Sequence, residues 1–191
     1  VQCVYEAGGT DFDIRDLKEE SAVEVMGVVK AEERAPQGFE IRLKEIRVLS
    51  QPAEPLPLAV SKWKLNTSLE TKLSLRPISL RNVRERAKFK IQEGIVRGFR
   101  DYLLSQGFTE IRTPKIVARG AEGGSNVFKL EYFNKKAELG QSPQFYKQTM
   151  VGVYDRVFEA APVFRAEKHN TTRHLNEYTS LDFEMGYIDS F

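Results

Sequence analysis

The chain of 191 residues is 41% hydrophobic, which is enough to bury a sizeable core in one or two domains. Its 29 basic and 27 acidic residues nearly balance, so the overall charge does not by itself indicate a nucleic-acid partner. The single cysteine, Cys3, excludes an internal disulfide and a cysteine-rich zinc site, and two histidines cannot build a multi-histidine metal centre. This cysteine usage fits the reducing cytoplasm, and there is no apolar run of membrane length.

The first fifty residues have the pattern of short β-strands. Residues 21–30 contain four valines and predict a strand, and Pro36-Gln37-Gly38 has turn chemistry. The alternation of apolar and polar residues that follows changes phase near Lys44-Glu45, which predicts a β-bulge there. Short strands joined by turns favour a fragment of a β-barrel or sandwich.

A linker and a long helix follow. Three prolines fall within residues 51–58, and residues 59–78 show no clean period, which predicts a linker with some helix. Asn82 then stands in a helix-capping position with Glu85 three residues later, and Gly107 is well placed to end the helix. The apolar residues between them fall mostly on one stripe: Phe89, Ile95, Val96, Phe99, Tyr102 and Leu103.

A run of basic residues surrounds the start of this helix, with only Glu85 opposing it. A solvated helix face accounts for such a run without further explanation, and contact with a nucleic-acid backbone is the alternative. The run consists of Arg76, Arg81, Arg84, Arg86, Lys88 and Lys90.

A second, shorter helix is predicted with Ser142 as its cap, Pro143 at its first position, and residues 145–150 after them. Gln144 and Lys147 lie three residues apart on its opening turn, so they face the same way. An amide and an ammonium group projected together make a good receptor for a carboxylate.

Two strands joined by a polar loop are predicted at about residues 157–167 and 177–188. The period of two places Arg165 and Glu167 on one face of the first strand, and the planar fork of arginine suits a phosphate. The return strand has Tyr178, Ser180, Asp182 and Glu184 on one face and Leu181, Phe183, Met185 and Tyr187 on the other. This segregation indicates a sheet whose polar face is a working surface.

Taken in order, these strings resemble the motifs of aspartyl-tRNA synthetases of the archaeal and eukaryotic type and their bacterial relatives, which are class II enzymes. The residues from Phe164 to Glu167, with Arg173-His174 and Glu177-Tyr178, resemble motif 2, the hairpin that holds ATP. The stretch 107–116 resembles motif 1, the helix end and strand at the dimer interface. The string from Gln141 to Lys147 (Q-S-P-Q-F-Y-K) is an arrangement that the asparaginyl enzymes lack.

The resemblance implies an α+β fold. Residues 1–50 would be part of an OB-fold β-barrel that binds the anticodon, 51–78 a linker or hinge, and 79–191 the first half of an antiparallel-sheet catalytic domain. Motif 3 would lie beyond Phe191, and further barrel strands would precede Val1. We therefore expect this chain to be the middle of a longer protein and to be inactive by itself.

The implied activity is ATP-dependent activation of L-aspartate to aspartyl-adenylate and transfer to tRNA(Asp), with tRNA(Asn) left open as a second acceptor. Lys147 would pair with the side-chain carboxylate of aspartate and Asp182 with its ammonium group. Arg165 would be the catalytic residue, bridging the α-phosphate and the reacting carboxylate. The implied aspartate-binding set is Glu122, Gln144, Lys147, Arg165 and Asp182, with Glu122 on the glycine-rich loop that closes over the amino acid.

The same resemblance implies where ATP lies. Glu167 would accept from the adenine amino group, Tyr178 would stack on the base, and Arg173 and His174 would meet the γ-phosphate. The whole implied ATP-binding set is Arg165, Ala166, Glu167, Arg173, His174, Leu175 and Tyr178. Mg²⁺ would bridge the phosphates, with its ligands expected outside this chain. Pro114 would pack at the interface of a homodimer.

Three alternatives remain open. The first is an asparaginyl- or lysyl-tRNA synthetase, against which the Gln144 and Lys147 pair argues. The second is a non-catalytic tRNA-binding or assembly relative that kept the hairpin and lost the chemistry. The third is a paralog that makes asparagine from an aspartyl adenylate, which would lack the anticodon-binding residues 1–50.

Overall fold

A computed structural model of the chain describes residues 1–10, 12–119, 126–169, 171 and 173–190. The chain divides into two units, residues 1–86 and residues 87–191. No helix in these described ranges is both long enough and apolar enough to cross a membrane.

The first unit contains a three-stranded sheet. Its strands are β1 (Gln2–Val4), β2 (Ala22–Ala31) and β3 (Phe39–Ser50), with a short 3₁₀ helix at Ile14–Asp16 between the first two. The sheet order is β1-β3-β2, with β1 parallel and β2 antiparallel to β3. These strands do not close into a barrel within the part of the chain that the structure describes, and they are consistent with part of an OB-fold.

The predicted bulge in the β2–β3 hairpin is confirmed. Met26 pairs with Glu45 and Gly27 pairs with Leu43, so Lys44 is the extra residue on its strand. A Cβ atom on Gly27 would lie 2.1 Å from the carbonyl oxygen of Arg42. Only glycine therefore allows the two backbones to approach this closely at the bulge.

Residues 51–68 contain no regular element, and three helices follow: α1 (Leu69–Ser74), α2 (Arg76–Ser79) and α3 (Val83–Ser105). Asn82 caps α3 as predicted, because its side-chain oxygen accepts from the backbone N–H groups of Arg84 and Glu85 at 3.1 and 3.3 Å. The helix ends at Ser105, and the φ of +77° at Gly107, two residues later, allows the N–H of Phe108 to reach back to Leu103 O.

The second unit contains two small sheets and one further helix. The first sheet has the order β4-β8-β9, built from Thr109–Glu110, Arg156–Phe164 and Glu177–Met185. The second has the order β5-β7-β6, built from Ile116–Val117, Lys135–Leu139 and Lys129–Tyr132. Helix α4 (Gln144–Tyr154) contacts β8 and β9. The mixed α+β fold is as predicted.

The core of this unit lies between α3 and one face of β8. Leu103, Phe108 and Phe158 are buried together, and the ring of Phe99 meets that of Phe158 edge to face. Most of the predicted apolar stripe of α3 does not join this core. Phe89, Ile95 and Tyr102 are all exposed.

Several predicted boundaries differ from the structure. Strand β8 ends at Phe164 and β9 at Met185, each about three residues before the prediction. Tyr187 therefore lies beyond the strand, with a positive φ of 58°. Helix α4 begins at Gln144, with Pro143 as its cap residue, one position later than expected. Ser142 still contributes, since its hydroxyl accepts from the N–H of Gln144 at 3.2 Å.

Candidate amino-acid and nucleotide site

The two faces of the β8–β9 hairpin differ in chemistry. On one face Phe158 pairs with Phe183 and packs toward α3. On the other face Glu159 pairs with Asp182, and Val157, two residues before Glu159, pairs with Glu184, two residues after Asp182. The polar face predicted for β9 is therefore present, and the register brings three carboxylates close together on it.

Helix α4 places Lys147 against this polar face. The lysine is only 5% exposed, and its Nζ lies 3.2 Å from Asp182 Oδ1 and 3.5 Å from Glu184 Oε2. Gln144, one turn earlier, donates from Nε2 to the same Glu184 oxygen at 3.1 Å. Helical spacing and strand alternation thus bring together the predicted pair Gln144 and Lys147, the predicted Asp182, and Glu184.

The ammonium group of Lys147 has donor capacity beyond its two carboxylate partners. It carries three N–H donors, so two carboxylates do not exhaust it. Its distance to Asp182 is longer than the roughly 2.7–2.9 Å of a strong charge-assisted hydrogen bond. A further carboxylate that approached Lys147 would compete with these two partly exposed partners.

Glu159 forms a second buried charge cluster beside the first. It is 1% exposed, and its two oxygens accept from Thr113 N, Thr113 Oγ1 and Lys115 Nζ at 2.7, 2.7 and 2.8 Å. Thr113 and Lys115 flank Pro114, which is itself exposed. One carboxylate therefore fastens the segment around Pro114 to the strand position opposite Asp182.

Arg165 does not lie on a strand with Glu167, contrary to the prediction. Its N–H makes one last cross-hairpin bond to Asn176 O at 2.9 Å, and the N–H of Glu167 then turns back to Arg165 O at 2.8 Å. The N–H of Ala166 bonds instead to Asn126 O at 2.8 Å. Strand alternation stops where this turn begins, so the two side chains do not share a face by period two.

The loop between the strands has its own polar contacts. His174 shares a 2.7 Å hydrogen bond with the Thr171 hydroxyl through Nδ1, and its Nε2 lies 3.7 Å from Glu167 Oε2. The predicted nucleotide contacts Glu167 and His174 are thus neighbours, with exposed Arg173 adjacent in the chain. Tyr178 is half-buried on β9, opposite Val163.

Arg165 and the cluster around Lys147 lie at different positions along the same hairpin. Arg165 follows Phe164, while Asp182 pairs with Glu159, six residues before Arg165. At about 3.3 Å per residue, their backbones are roughly 20 Å apart along the strand. One ligand can reach both the guanidinium and Lys147 only if it lies lengthwise along the polar face.

Sequence reasoning left several polar contributors out of the site. Glu184 was placed on the correct face but given no role, although the same alternation that selected Asp182 indicates it. Asn176 brings its carboxamide to 3.0 and 3.1 Å from Glu167 O and Arg165 O, and it bridges both when its nitrogen faces them. Asn126 accepts from Ala166 N and from buried Gln141. No sequence pattern signals these loop contacts.

Glu122 and the rest of the glycine-rich segment 120–125 lie outside the described residues. Within the ranges that are described, no three His, Cys, Asp or Glu side chains form a group suited to a metal ion.

A family model described as tRNA synthetases class II (D, K and N) matches residues 68–190, well over half of the chain. The chain belongs to this family. A relative from Deinococcus radiodurans named aspartate–tRNA(Asp/Asn) ligase is 54% identical over 89% of the chain and 39% of its own length. The chain thus spans less than half the length of this class II synthetase relative.

Two solved structures of the family have the same fold as this chain. Asparaginyl-tRNA synthetase from Pyrococcus horikoshii, complexed with asparaginyl-adenylate, has a TM-score of 0.86 at 34% identity, over 99% of this chain and 44% of that one. A putative aspartyl-tRNA synthetase from Leishmania major has a TM-score of 0.76 at 36% identity, over 91% and 36%. Class II synthetases of both specificities share the fold, so side chains must decide between amino acids.

Proposed function

We propose that the protein to which this chain belongs activates L-aspartate with ATP and transfers it from aspartyl-adenylate to tRNA(Asp). The 54% identity to a ligase of that name supports this specificity more strongly than the 34% identity to an asparaginyl enzyme. Relatives named for tRNA(Asp/Asn) make tRNA(Asn) a second acceptor to be tested.

The observation that carries the proposal is the buried Lys147 beside Asp182 and Glu184. Lysine and the two carboxylates together leave one net negative charge, which attracts the ammonium group of an amino acid. The side-chain carboxylate of aspartate would then meet the remaining donor capacity of Lys147. Asparagine would bring a neutral amide to the same buried cation and would leave it poorly compensated.

Arg165 is the residue to which we assign the chemical step. In that step a carboxylate oxygen of aspartate attacks the α-phosphorus of ATP, the bond to pyrophosphate breaks, and no protein nucleophile is needed. Catalysis then consists of orienting the two substrates and stabilising the charge that grows on the α-phosphate. Arg165 lies nearer the loop end of the same hairpin than the Lys147 cluster does. This position suits a ligand that extends from amino acid to phosphate.

The remaining nucleotide assignments follow the loop. We assign the adenine amino group to Glu167, base stacking to Tyr178, and the γ-phosphate to Arg173 and His174, with Ala166 and Leu175 also lining the ATP site. Because Glu167 and His174 lie 3.7 Å apart, one ATP can meet both only if its phosphates fold back toward its base. Synthetases of this kind use Mg²⁺ with ATP, and we expect its ligands outside this chain.

We also propose that the protein is a cytoplasmic homodimer that contacts its partner through Pro114 and α3. Pro114 is exposed, as are Ile91, Ile95, Tyr102 and Leu104 of the helix. Exposed apolar side chains on one helix are typical of a surface that another subunit covers. Sedimentation of the full-length protein and of an Ile95→Glu variant tests this assembly.

The decisive experiment replaces Lys147 by Met in the full-length protein and measures amino-acid-dependent exchange of pyrophosphate into ATP. We expect kcat/KM for aspartate to fall about a thousandfold or more, because removing one member of a buried charge pair costs roughly 3–5 kcal/mol. ATP binding, measured by equilibrium dialysis, should be retained. The matched control Lys136→Met changes an exposed lysine of the same unit and should leave exchange unchanged.

Asparagine supplied to the unsubstituted protein separates the two specificities. Exchange with aspartate alone supports the proposal. Exchange that depends on asparagine, or normal aspartate exchange by Lys147→Met, would show that the pocket has been assigned to the wrong substrate.

A further inference from the structure

The segment from Val60 to Leu65, named here the Trp63 loop, exposes a large aromatic ring between two lysines. Trp63 is 71% exposed, and Lys62 and Lys64 on either side of it are exposed as well. Exposure of so much apolar ring to water is unfavourable, since burying a tryptophan would stabilise the chain by several kcal/mol. A tryptophan in this position is typical of a surface that meets a partner.

The Trp63 loop is held firmly rather than left to move. Val60 and Leu65 at its two ends are both buried. Asn82, which is completely buried, donates from Nδ2 to Val60 O at 2.9 Å and also to Lys62 O. The residue that caps α3 thereby fixes the loop to the start of that helix, so the ring is presented without a large loss of conformational entropy on binding.

The charge around the ring is positive. The guanidinium carbon of Arg84 lies 5.8 Å from the centre of the Trp63 ring, within the range of a cation–π contact. The acidic residues near the helix start are engaged elsewhere: Glu85 pairs with Lys72, and Glu20 pairs with Arg81. Three exposed cations therefore accompany the exposed ring: Arg84 against it, and Lys62 and Lys64 next to it in the chain. This also gives part of the basic run a role that a solvated helix face would not.

We propose that the Trp63 loop is an RNA-binding surface that contacts the body of the tRNA. Trp63 would stack on an unpaired base or a ribose, while Lys62, Lys64 and Arg84 would bind phosphates. Stacking on aromatic rings and neutralisation of phosphates by lysine and arginine are the two interactions that single-stranded RNA offers together. A protein partner would need acidic side chains in three places around an apolar centre. RNA offers the same combination of negative charge and flat apolar surface at every nucleotide, because each one carries a phosphate and a base. The choice of tRNA as the RNA rests on the proposed function.

The test measures the dissociation constant of an unmodified tRNA(Asp) transcript from the full-length protein at several salt concentrations. We expect Trp63→Ala to weaken binding about 10-fold at low salt, in the range of one lost stacking contact. The double variant K62Q/K64Q should weaken binding by a similar factor and lower the salt slope by about 1–2. Trp63→Phe keeps a stacking surface and should retain most of the affinity.

A matched control exists on the other unit. Phe133 is 89% exposed in the turn between β6 and β7, and Lys135 and Lys136 are exposed beside it. Phe133→Ala and K135Q/K136Q should bind the transcript as the unsubstituted protein does. Trp63 is the single tryptophan of this chain. Its fluorescence quenching, measured as the difference between the unsubstituted protein and Trp63→Phe, should therefore follow RNA binding.

The inference is overturned if Trp63→Ala and K62Q/K64Q bind tRNA with unchanged affinity, or if the Phe133 and Lys135/Lys136 variants weaken it as much. Unchanged tRNA affinity together with loss of a protein partner would assign the loop to a protein interface instead. Aspartate-dependent exchange without tRNA separates this outcome from failure of the proposed function. It should be equal in Trp63→Ala and the unsubstituted protein, and its absence from both would refute the function while leaving the RNA-binding result intact.

Discussion

The β2–β3 and β8–β9 hairpins arrange their cross-strand charges in opposite ways. In the first, Glu24 and Arg47 are cross-strand partners and form an exposed ion pair at 2.8 Å. In the second, the cross-strand partners Glu159 and Asp182 are both acidic, and each is matched by a lysine from outside the hairpin. Like charges opposite each other destabilise a sheet. The second arrangement is therefore costly, and the lysines from outside the hairpin offset that cost.

The burial of these charges decides what they contribute. Exposed pairs such as Glu24–Arg47 contribute about 0–1 kcal/mol and weaken in salt. Buried charges such as Glu159 lose their hydration, and removal of one partner leaves the other unpaired in a medium of low dielectric constant. The first hairpin should consequently tolerate charge removal, and the second should not.

Replacement of Glu159 by Ala is expected to have the largest effect on stability. It removes three hydrogen bonds and leaves Lys115 facing a buried gap, so we expect the free energy of unfolding to fall by about 3–5 kcal/mol. Urea unfolding of the full-length protein, followed by circular dichroism, measures this loss. Glu24→Ala is the matched control, with an expected change below about 0.5 kcal/mol; equal losses would show that burial does not distinguish the hairpins.

Replacement of Arg165 by Ala should act on catalysis rather than on folding. A positioned cation that stabilises transition-state charge contributes about 3 kcal/mol, so aspartate-dependent pyrophosphate exchange should fall at least about a hundredfold. The midpoint of urea unfolding should remain close to that of the unsubstituted protein. Arg47→Ala, at the exposed pair of the first hairpin, should change neither quantity. Normal exchange by Arg165→Ala would remove that residue from the chemical step.

Two glycines extend the contrast from charge to backbone. A Cβ on Gly27 would collide with the backbone at Arg42, so we expect Gly27→Ala to destabilise the first unit by about 2 kcal/mol. Gly94 in α3 has open space around the same position, and Gly94→Ala should stabilise by about 0.5–1 kcal/mol through helix propensity. Thermal unfolding of both variants checks the opposite signs. A stabilising Gly27→Ala would contradict the tight approach at the bulge.

Glu110 is intermediate in burial between exposed Glu24 and buried Glu159, and its replacement should have the smallest effect on stability. Partial burial favours its neutral form, but hydrogen bonds from Arg112 and Arg100 outweigh burial and hold the pKa of this carboxyl below its ordinary value. Its contribution is therefore present above the ordinary glutamate pKa and lost as pH falls through the lowered one. Glu110→Gln should cost well under about 1 kcal/mol at pH 7. That difference should vanish in acid, and urea unfolding across pH measures it.

The sequence predicted the features that local chemistry controls. The bulge at Lys44 follows from a change of phase, the start of α3 follows from the short polar side chain of Asn82, and its end follows from Gly107. The polar face of β9 follows from strict alternation, which also predicts that Asp182 lies on that face. The helical spacing of Gln144 and Lys147 was sufficient to predict that they face the same way, and both contact Glu184.

The features that sequence reasoning missed depend on contacts between distant segments. The strand stops at Phe164 because the N–H of Ala166 bonds to Asn126, forty residues earlier, and no local pattern carries that information. The apolar stripe of α3 predicted a buried surface, yet only Leu103 and, in part, Phe99 reach the core. Glu184 was passed over because a surface carboxylate and a pocket carboxylate look alike until the partner lysine is placed.

The exposed proline between Thr113 and Lys115 has a mechanical consequence. Thr113 and Lys115 both bind the carboxylate of Glu159. A displacement of Pro114 would therefore be transmitted to the centre of β8 through the two hydrogen bonds of Thr113 and the ion pair of Lys115. The strand residue next to that centre is Asp182. A molecule that docks on Pro114 would therefore affect the position of Asp182, the carboxylate that we assign to the amino group of the substrate.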